Sequence, residues 1–127
     1  FEKFSPILWE TKTPGSRLTF KFKGTTARLY DIMGPDAGQA IVTVDGKSYP
    51  PRSTFDSYCS WYRLGTLGVA DGLPDEVHTV SVELHPDPPD RSSVTDKEKL
   101  KPGYDPKKYE GVALRFGGIL MRGELVR

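Results

Sequence analysis

Residues 17–23 read RLTFKFK, a strict alternation of polar and apolar side chains. Successive side chains of a β-strand point to opposite faces, so this alternation is typical of a half-buried strand. Leu18, Phe20 and Phe22 share the apolar face, while Thr19 and the basic residues share the other. The stretch therefore predicts a strand that covers one side of a hydrophobic core.

The same period-two alternation recurs further along the chain. Residues 39–45 and 77–85 alternate as cleanly as the first stretch, and Asp45-Gly46 follows as a hairpin turn signal. Three more segments are rich in strand-forming residues but alternate less cleanly: 27–33, 58–64 and 112–126. The last of these contains Gly117-Gly118, which predicts a bulge or bend within one strand or between two.

Turn signals separate these segments. The chain has 13 Gly and 11 Pro among its 127 residues, with clusters at 13–16, 34–36, 50–51 and 71–74. Short strands joined by such turns, with no helical pattern between them, favour antiparallel sheets over alternating strands and helices. We therefore predict an all-β fold for a single domain, residues 1–127, in the form of a two-sheet antiparallel β-sandwich of the jelly-roll type.

One segment, 86–111, departs from this pattern because it is polar and shows little apolar periodicity. Loops of this length are uncommon in compact domains and tend to be functional or mobile. Within the segment, residues 92–100 predict one short helix with Ser93 or Thr95 as its N-terminal cap. The predicted sandwich therefore has one long polar loop that carries a short helix.

Composition argues against several kinds of partner. Eighteen Lys and Arg against 17 Asp and Glu leave a net charge of +1, which does not favour nucleic acid or an anionic membrane. No apolar stretch approaches the roughly 20 residues of a membrane span. The single cysteine, Cys59, excludes a disulfide within the chain and a cysteine-rich metal site. The chain has no Asn and no spaced Asp loop, so a structural calcium ion has no support, and we expect neither metal nor cofactor.

The sequence also lacks the motifs of nucleophilic catalysis, since neither Gly-x-Ser-x-Gly nor Gly-Asp-Ser occurs. Cys59 lies among strand formers, where a lone cysteine is most often a small buried hydrophobic residue. Asp75 and His78 have the spacing of an acid–base pair but no serine to activate, and a solvent-facing His78 needs no special role. Asp87 and Asp90 flank prolines, as in ordinary turns. We therefore expect no catalytic residue and no enzymatic activity.

The aromatic residues indicate a binding site more clearly. They make up 11% of the chain, and five of them lie within residues 49–62: Tyr49, Phe55, Tyr58, Trp61 and Tyr62. Aromatic faces can cover the apolar C–H faces of sugar rings, while planar charged groups bind the hydroxyls. If residues 57–64 form a strand, Tyr58 and Tyr62 face one way and Trp61 and Arg63 the other, so one set faces away from the core. The alternative is that these rings simply fill the core.

The succession of turns and strands resembles a known family. Residues 12–25, KTPGSRLTFKFKGT, are similar to the opening of small β-sandwich modules attached to SGNH/GDSL-type hydrolases. Further blocks continue the resemblance as far as about Met121: 30–36, 42–46, 55–59, 72–80 and 117–120. In those proteins the catalytic Gly-Asp-Ser, Gly and Asn blocks belong to a separate domain, and none of the three is matched here.

This resemblance implies an accessory module of a secreted bacterial enzyme that degrades or deacetylates polysaccharides. Modules of this architecture are commonly carbohydrate-binding, and a chain that opens at Phe1 fits a domain cut from a larger multidomain enzyme. We therefore expect a monomer in a secreted or periplasmic location. Its expected partners are the catalytic domain of the parent hydrolase and a polysaccharide or oligosaccharide.

The function that we predict is non-catalytic binding of a plant or algal polysaccharide. The rings expected to stack on sugar are Trp61, Tyr58, Tyr62, Tyr104 and Tyr109, and the groups expected to reach its hydroxyls are Arg52, Arg63 and Asp56. Tyr104 and Tyr109 are included because they lie on the long polar loop, where an aromatic ring has little core to fill.

Two alternatives stay open at this point. The first is a structural accessory module that docks on the hydrolase domain through a contiguous exposed apolar patch. The second is a jelly-roll polysaccharide lyase or glycosidase, which needs convergent acids or a Tyr–His pair in a groove.

Overall fold

The computed structural model describes residues 3–126, whose regular structure is mostly antiparallel β-sheet. The strands are β1 (Lys3–Thr11), β2 (Arg17–Met33), β3 (Gln39–Val44), β4 (Lys47–Ser48), β5 (Arg52–Ser53), β6 (Arg63–Ala70), β7 (Glu76–Leu84) and β8 (Leu114–Val126). One short helix, α1 (Ser92–Glu98), and a 3-10 turn (Pro106–Tyr109) lie between β7 and β8. The predicted all-β fold with one helix-bearing loop is confirmed.

The sheet folds over on itself because its two longest strands each take part in two layers. Residues 17–24 of β2 pair with β7, whereas residues 27–33 pair with β6 on the same edge. Strand β8 pairs with both parts of β2 along its other edge. One layer, the β7 layer, thus contains β3, β7 and the first part of β2, and the other, the β6 layer, contains β1, β6 and the second part of β2.

Two glycines make the corner between the layers. Gly24 of β2 lies opposite Gly123 of β8, with φ values of 159° and 144°. A Cβ on Gly24 would collide with the carbonyl oxygen of Arg122, and a Cβ on Gly123 with that of Lys23. Only glycine allows two backbones to approach so closely, so this pair permits both strands to bend at the same level.

The predicted bulge near the end of the chain is confirmed at Gly117. Tyr30 pairs with Gly118 but Asp31 pairs with Phe116, which leaves Gly117 without a partner on β2. An extra residue of this kind increases the local twist of a strand. The bulge lies within one continuous strand, β8, rather than between two strands.

The core between the layers follows the alternation that the sequence predicts. Phe20 and Phe22 from β2 are buried together with Val80 and Val82 from β7. From the opposite layer, Phe116 is buried and stacks with the Trp9 ring of β1 at 5.7 Å between ring centroids. Burial of apolar area on this scale is the main stabilising contribution to such a domain.

Two local predictions are wrong. Residues 57–60 form a turn, and β6 begins only at Arg63, so of the strand expected over 58–64 only residues 63 and 64 are in a strand. The helix α1 begins after Arg91, and neither Ser93 nor Thr95 caps it. Instead, the carboxylate of Asp90 accepts a hydrogen bond from the Ser92 amide at 2.9 Å.

The long polar loop has a small core of its own. Its buried members are Ala37, Phe55, Cys59, Val94 and Tyr109, which we call the second cluster. Arg91 fastens the loop by donating to the carbonyl oxygens of Tyr109 at 2.7 Å, Ala37 at 3.0 Å and Gly111 at 2.7 Å. The expectation that this loop lacks a core was therefore wrong.

Within residues 3–126, no helix has both the length and the apolar character needed to cross a membrane. The same part of the chain contains no group of three or more His, Cys, Asp or Glu side chains placed to hold a metal ion.

Candidate functional site

The segment that carries the predicted aromatic residues is a tightly fixed loop, residues 54–62, which we call the aromatic loop. Phe55 and Cys59 are buried in the second cluster and fix the two ends of the turn. The Asp56 carboxylate accepts hydrogen bonds from the Tyr58 amide at 2.9 Å and from the Cys59 thiol at 3.4 Å. Burial raises the pKa of Cys59, in agreement with its predicted role as a small buried hydrophobic residue.

Three rings of this loop face solvent. Tyr58 is 72% exposed, Trp61 is 67% exposed and Tyr62 is 56% exposed. Rings of this size are usually buried, so three exposed ones within five residues indicate a binding surface. The prediction that large rings face solvent in this region agrees with the structure. A turn exposes these rings, however, and not the alternation of side chains along a strand.

Tyr62 is held in place from more than one side. Its ring lies against Gly34, where even a Cβ would collide with the ring atoms. The Arg115 guanidinium lies over the ring, 5.1 Å from its centroid, and the Tyr62 hydroxyl donates to Asp36 at 3.4 Å. This ring is thus preorganised, and little conformational entropy would be lost on stacking against a ligand.

Arg115 is itself fixed by two carboxylates. It forms a bidentate pair with Asp36, with both N···O distances at 2.9 Å, and donates to Glu10 at 2.6 Å. Partial burial would raise the pKa of Asp36, but the Arg115 hydrogen bonds and charge outweigh it and hold that pKa below its ordinary value. The pair is therefore ionised at neutral pH and supports Tyr62 as a rigid unit.

Arg63 and Asp56 form an ion pair at the other side of the loop. The Arg63 guanidinium also lies 5.8 Å from the centroid of the Tyr58 ring. Burial would raise the pKa of Asp56, but the ion pair with Arg63 and the hydrogen bond from the Tyr58 amide lower it overall. The predicted residues Arg63, Asp56 and Tyr58 are thus brought together, with charged groups next to an exposed ring.

Behind this pair lies a buried carboxylate that the sequence interpretation did not select. Asp31 is 3% exposed, and burial raises its pKa to about 7, although the nearby positive charge of Arg63 partly opposes this effect. Asp31 falls on the inward face of β2, opposite Gly65 of β6. Asp31 lies two positions from Leu29, so both side chains point inward from β2. An acidic residue at such a position is the sequence signal that could have identified this buried carboxylate.

Arg52 does not join the aromatic loop. Its Nη1 donates to the Gly68 carbonyl oxygen at 2.6 Å, beside a cavity of about 680 Å³ between β6 and the β4–β5 side of the sandwich. We call this cavity the edge groove. Gly68 lies five positions from Arg63 along β6, roughly 16 Å at the rise of an extended strand. Arg52 therefore belongs to a second surface.

Tyr104 and Tyr109 lie in or against the second cluster, which the aromatic loop shares. Tyr109 is 8% exposed, and its ring centroid is 6.0 Å from that of Tyr104, which is partly buried. Tyr109 therefore has little ring surface to offer to a ligand. Its packing places it beneath the aromatic loop, where it supports Phe55 and Cys59.

His78, which has the spacing of an acid–base pair with Asp75, is held by hydrogen bonds within the fold. His78 is buried, contrary to the expected solvent-facing position, with Nδ1 at 2.6 Å from the Asp45 carboxylate and Nε2 at 2.7 Å from the Pro74 carbonyl oxygen. Because both partners accept hydrogen bonds, this arrangement favours the imidazolium form, which carries a proton on each ring nitrogen. These bonds, the Pro74 carbonyl first, raise the pKa of His78.

The fold is shared with β-rich parts of solved carbohydrate esterase structures. No family model matches the chain, and no curated protein matches it. Among solved structures, a family two carbohydrate esterase from Clostridium thermocellum in complex with cellohexaose matches with a TM-score of 0.59 and 18% identity over 93% of this chain.

Two further structures share the fold. A two-domain esterase active on acetylated mannans, co-crystallised with mannopentaose, matches with a TM-score of 0.61 and 14% identity over 94% of this chain. A Corynascus thermopiles (Myceliophthora fergusii) carbohydrate esterase family 2 enzyme plus carbohydrate binding domain matches with a TM-score of 0.54 and 18% identity over 98%.

This chain spans 28%, 28% and 31% of those three chains, less than a third of each. At such identities the likeness shows the fold. It confirms, at the level of fold, the resemblance to a module of carbohydrate-active hydrolases.

Proposed function

We propose that this chain is a non-catalytic carbohydrate-binding module that holds a polysaccharide on the aromatic loop. The observation that carries the proposal is the display of Tyr58, Trp61 and Tyr62 on one fixed loop beside the Arg63–Asp56 pair. The fold neighbours, which include an esterase in complex with cellohexaose and one with mannopentaose, support a sugar as the ligand.

The proposed roles follow from the geometry of the loop. Trp61 has the largest ring and, within residues 3–126, makes no hydrogen bond, ring contact or ion pair, so its face is available for stacking on a sugar. Tyr62 adds a preorganised second ring at the neighbouring position. Arg63 and Asp56 would bind hydroxyls at the edge of a stacked sugar, since charged groups make the stronger hydrogen bonds.

The experiment is isothermal titration and affinity electrophoresis of the chain against soluble glucans, mannans and acetylated mannans. We expect Trp61→Ala to weaken the best ligand at least tenfold, because a stacked aromatic contributes about 1–2 kcal/mol or more. Tyr49→Ala is the matched control, since Tyr49 is an exposed ring outside the loop. Absence of binding to every glycan, or an equal loss in both variants, would contradict the proposal.

A second candidate function has its own observation. The outer face of the β6 layer has an apolar area: the Phe4 ring packs on Tyr30 at 5.4 Å between centroids, and Ile32 lies opposite Leu64. Leu64 is 70% exposed, and Leu8, also on this side of β1, is 92% exposed. Contiguous apolar surface of this kind favours a protein partner, and we propose the catalytic domain of a parent esterase.

Sedimentation of the isolated chain tests this second candidate. We expect concentration-dependent self-association through the uncovered face, which Leu64→Glu abolishes. Leu100→Glu is the control because Leu100 is a comparably exposed leucine outside that face. A chain that stays monomeric at millimolar concentration, or association that both variants weaken equally, would argue against docking through this face.

In either role, the bond-breaking chemistry belongs to another domain, and this chain contributes recognition or support. We propose a secreted or periplasmic location, in keeping with a polysaccharide ligand and with neighbours that are carbohydrate esterases. No observation on the described residues favours the lyase or glycosidase alternative, since both nitrogens of His78 are already bound.

A further inference from the structure

The edge groove is a second concave surface, separate from the aromatic loop. It opens where the two layers end, between strand β6 and the short strands β4 and β5, and has a volume of about 680 Å³. Ligand pockets of proteins usually have volumes of about 300–1,000 Å³. The groove is therefore large enough to hold a small molecule of one or two rings.

The interior of the groove is apolar. Val42 and Val44 line it from the β7 layer, Val69 lines it from the β6 layer, and Leu73 closes one end. The Tyr49 ring stands at the entrance, held by a hydrogen bond from its amide to the Val42 carbonyl oxygen at 3.0 Å. Such a lining favours a flat apolar body, because polar groups placed against the valines would lose their hydrogen bonds to water.

The rim of the groove carries two arginines without a carboxylate partner. Among residues 3–126, the side chain of Arg28 makes no hydrogen bond or ion pair, and that of Arg52 donates to the Gly68 carbonyl oxygen at 2.6 Å. The acidic residue of the lining is Asp71, which accepts a hydrogen bond from Thr26 at 3.2 Å. The rim thus has an excess of positive charge, and guanidinium groups bind carboxylates in a planar, bidentate manner.

We propose that the edge groove binds a small aromatic carboxylic acid. The ring of the acid lies among Val42, Val69 and Tyr49, and its carboxylate lies at the rim between Arg28 and Arg52. A sugar acid offers the same charge, but its hydroxyls would face the valines without partners. The proposal does not depend on glycan binding, since the groove lies at the end of β6 and the aromatic loop precedes the start of that strand.

The test is a titration of the whole chain with cinnamate, followed by ¹H–¹⁵N correlation NMR. We expect shifts of the amide signals of Val42, Gly68 and Val69, with residues 58–62 unaffected. Cinnamamide has the same shape without the charge and should bind at least tenfold more weakly, because charge-assisted hydrogen bonds are about twice as strong as neutral ones.

Arg28→Met is the preferred variant, because Arg28 is exposed and its replacement does not disturb packing. It should weaken cinnamate about tenfold and leave cinnamamide unchanged. Arg52→Met should do the same, provided that its circular dichroism matches the parent chain. Arg17→Met removes an exposed arginine that pairs with Glu83 on the other layer, and it should change neither ligand.

Three results would overturn the proposal. The first is no shift with cinnamate at millimolar concentration, and the second is equal binding of cinnamate and cinnamamide. The third is tighter binding of galacturonate than of cinnamate at the same amides, which would assign the groove to an acidic sugar.

Discussion

At the residue scale, His78 connects the β3–β4 hairpin to the loop before β7. Asp45 and Gly46 both have positive φ in that hairpin turn, and the Asp45 carboxylate accepts from the Thr79 amide at 2.9 Å as well as from His78. The imidazolium form satisfies both acceptors, the Asp45 carboxylate and the Pro74 carbonyl. A folded-state pKa above the unfolded value means that this contribution is complete below about pH 6.5 and is lost as pH rises through the folded pKa.

We therefore expect His78→Gln to be costly at acid pH and less costly at alkaline pH. Loss of a buried, charge-assisted bond should lower the free energy of unfolding by about 2 kcal/mol at pH 5.5. Urea denaturation at pH 5.5 and pH 9 measures both values. His85→Gln is the control, because His85 is less buried and makes no contact with a carboxylate within the described residues. An equal loss for His78→Gln at both pH values would show that the ring is not an imidazolium.

The residues of the candidate site were only partly predictable. Tyr58, Trp61 and Tyr62 could be selected because large rings next to Arg and Asp are unusual on a surface. From the sequence, Tyr109 could not be distinguished from these exposed rings. Its burial depends on packing with Phe55 and Val94, which are not its neighbours along the chain. Position in a polar segment is therefore a poor guide to exposure.

At the element scale, the long loop supports the aromatic loop. Helix α1 places Val94 in the second cluster, next to the residues that fix the aromatic loop. The Arg91 guanidinium binds three carbonyl oxygens and lies 5.7 Å from the centroid of the Phe55 ring. One side chain thus connects the long loop, the aromatic loop and the segment before β3.

We expect Arg91→Met to loosen this arrangement without unfolding the sandwich. The carbonyl oxygens of Tyr109, Ala37 and Gly111 would lose a charged donor, which should lower stability by about 3 kcal/mol. Hydrogen exchange should accelerate in residues 104–111 and in the aromatic loop, while β2 and β7 stay protected. Lys97→Met, an exposed cation on the same helix, is the control. Unchanged exchange in the aromatic loop would mean that the long loop does not support it.

Strands were predictable where burial imposes a period of two, and less so where a single contact decides the conformation. Residues 57–60 have strand-forming composition, but the bonds from Tyr58 and Cys59 to the Asp56 carboxylate favour a turn. The corner at Gly24 depends on a second glycine at Gly123, and only knowledge of the pairing could reveal that need. The sequence could therefore predict that the sheet forms two layers, but it could not predict at which residues the strands bend from one layer to the other.

At the scale of the whole molecule, three surfaces occupy different parts of one sandwich. The aromatic loop lies before the start of β6, the edge groove lies at its end, and the apolar outer face extends across β6, β2 and β1. Each surface uses the same rigid core as its support. Glycan binding, acid binding and domain docking are therefore compatible with one another in a single module.

The ionisable groups of the molecule also act together, and their balance sets the pH of greatest stability. The carboxyls of Asp36, Asp45 and Asp56 have lowered pKa values, so their contribution is present above about pH 4 and is lost as pH falls below it. Burial raises the pKa of Asp31 to about 7, so its contribution is complete below about pH 4 and is lost as pH rises from there to about 7. The pKa of His78 is also raised, so its contribution is lost above about pH 6.5, as pH rises through its folded pKa. Both trends together place the pH of greatest stability at about pH 4 rather than at neutral pH.

The variant Asp31→Asn distinguishes the loss of stability at low pH from the loss of stability at higher pH. Above pH 7 the parent chain must bury the Asp31 charge, whereas the amide stays neutral, so the variant should be more stable at pH 8 by an amount of the order of 3 kcal/mol. At pH 4 the folded parent carries a neutral Asp31, and the variant should then show no gain. Thermal unfolding from pH 3 to 9 measures both profiles. If Asp31→Asn left the decline of the parent's stability between about pH 4 and 7 unchanged, burial of this carboxyl would not be the cause of that decline.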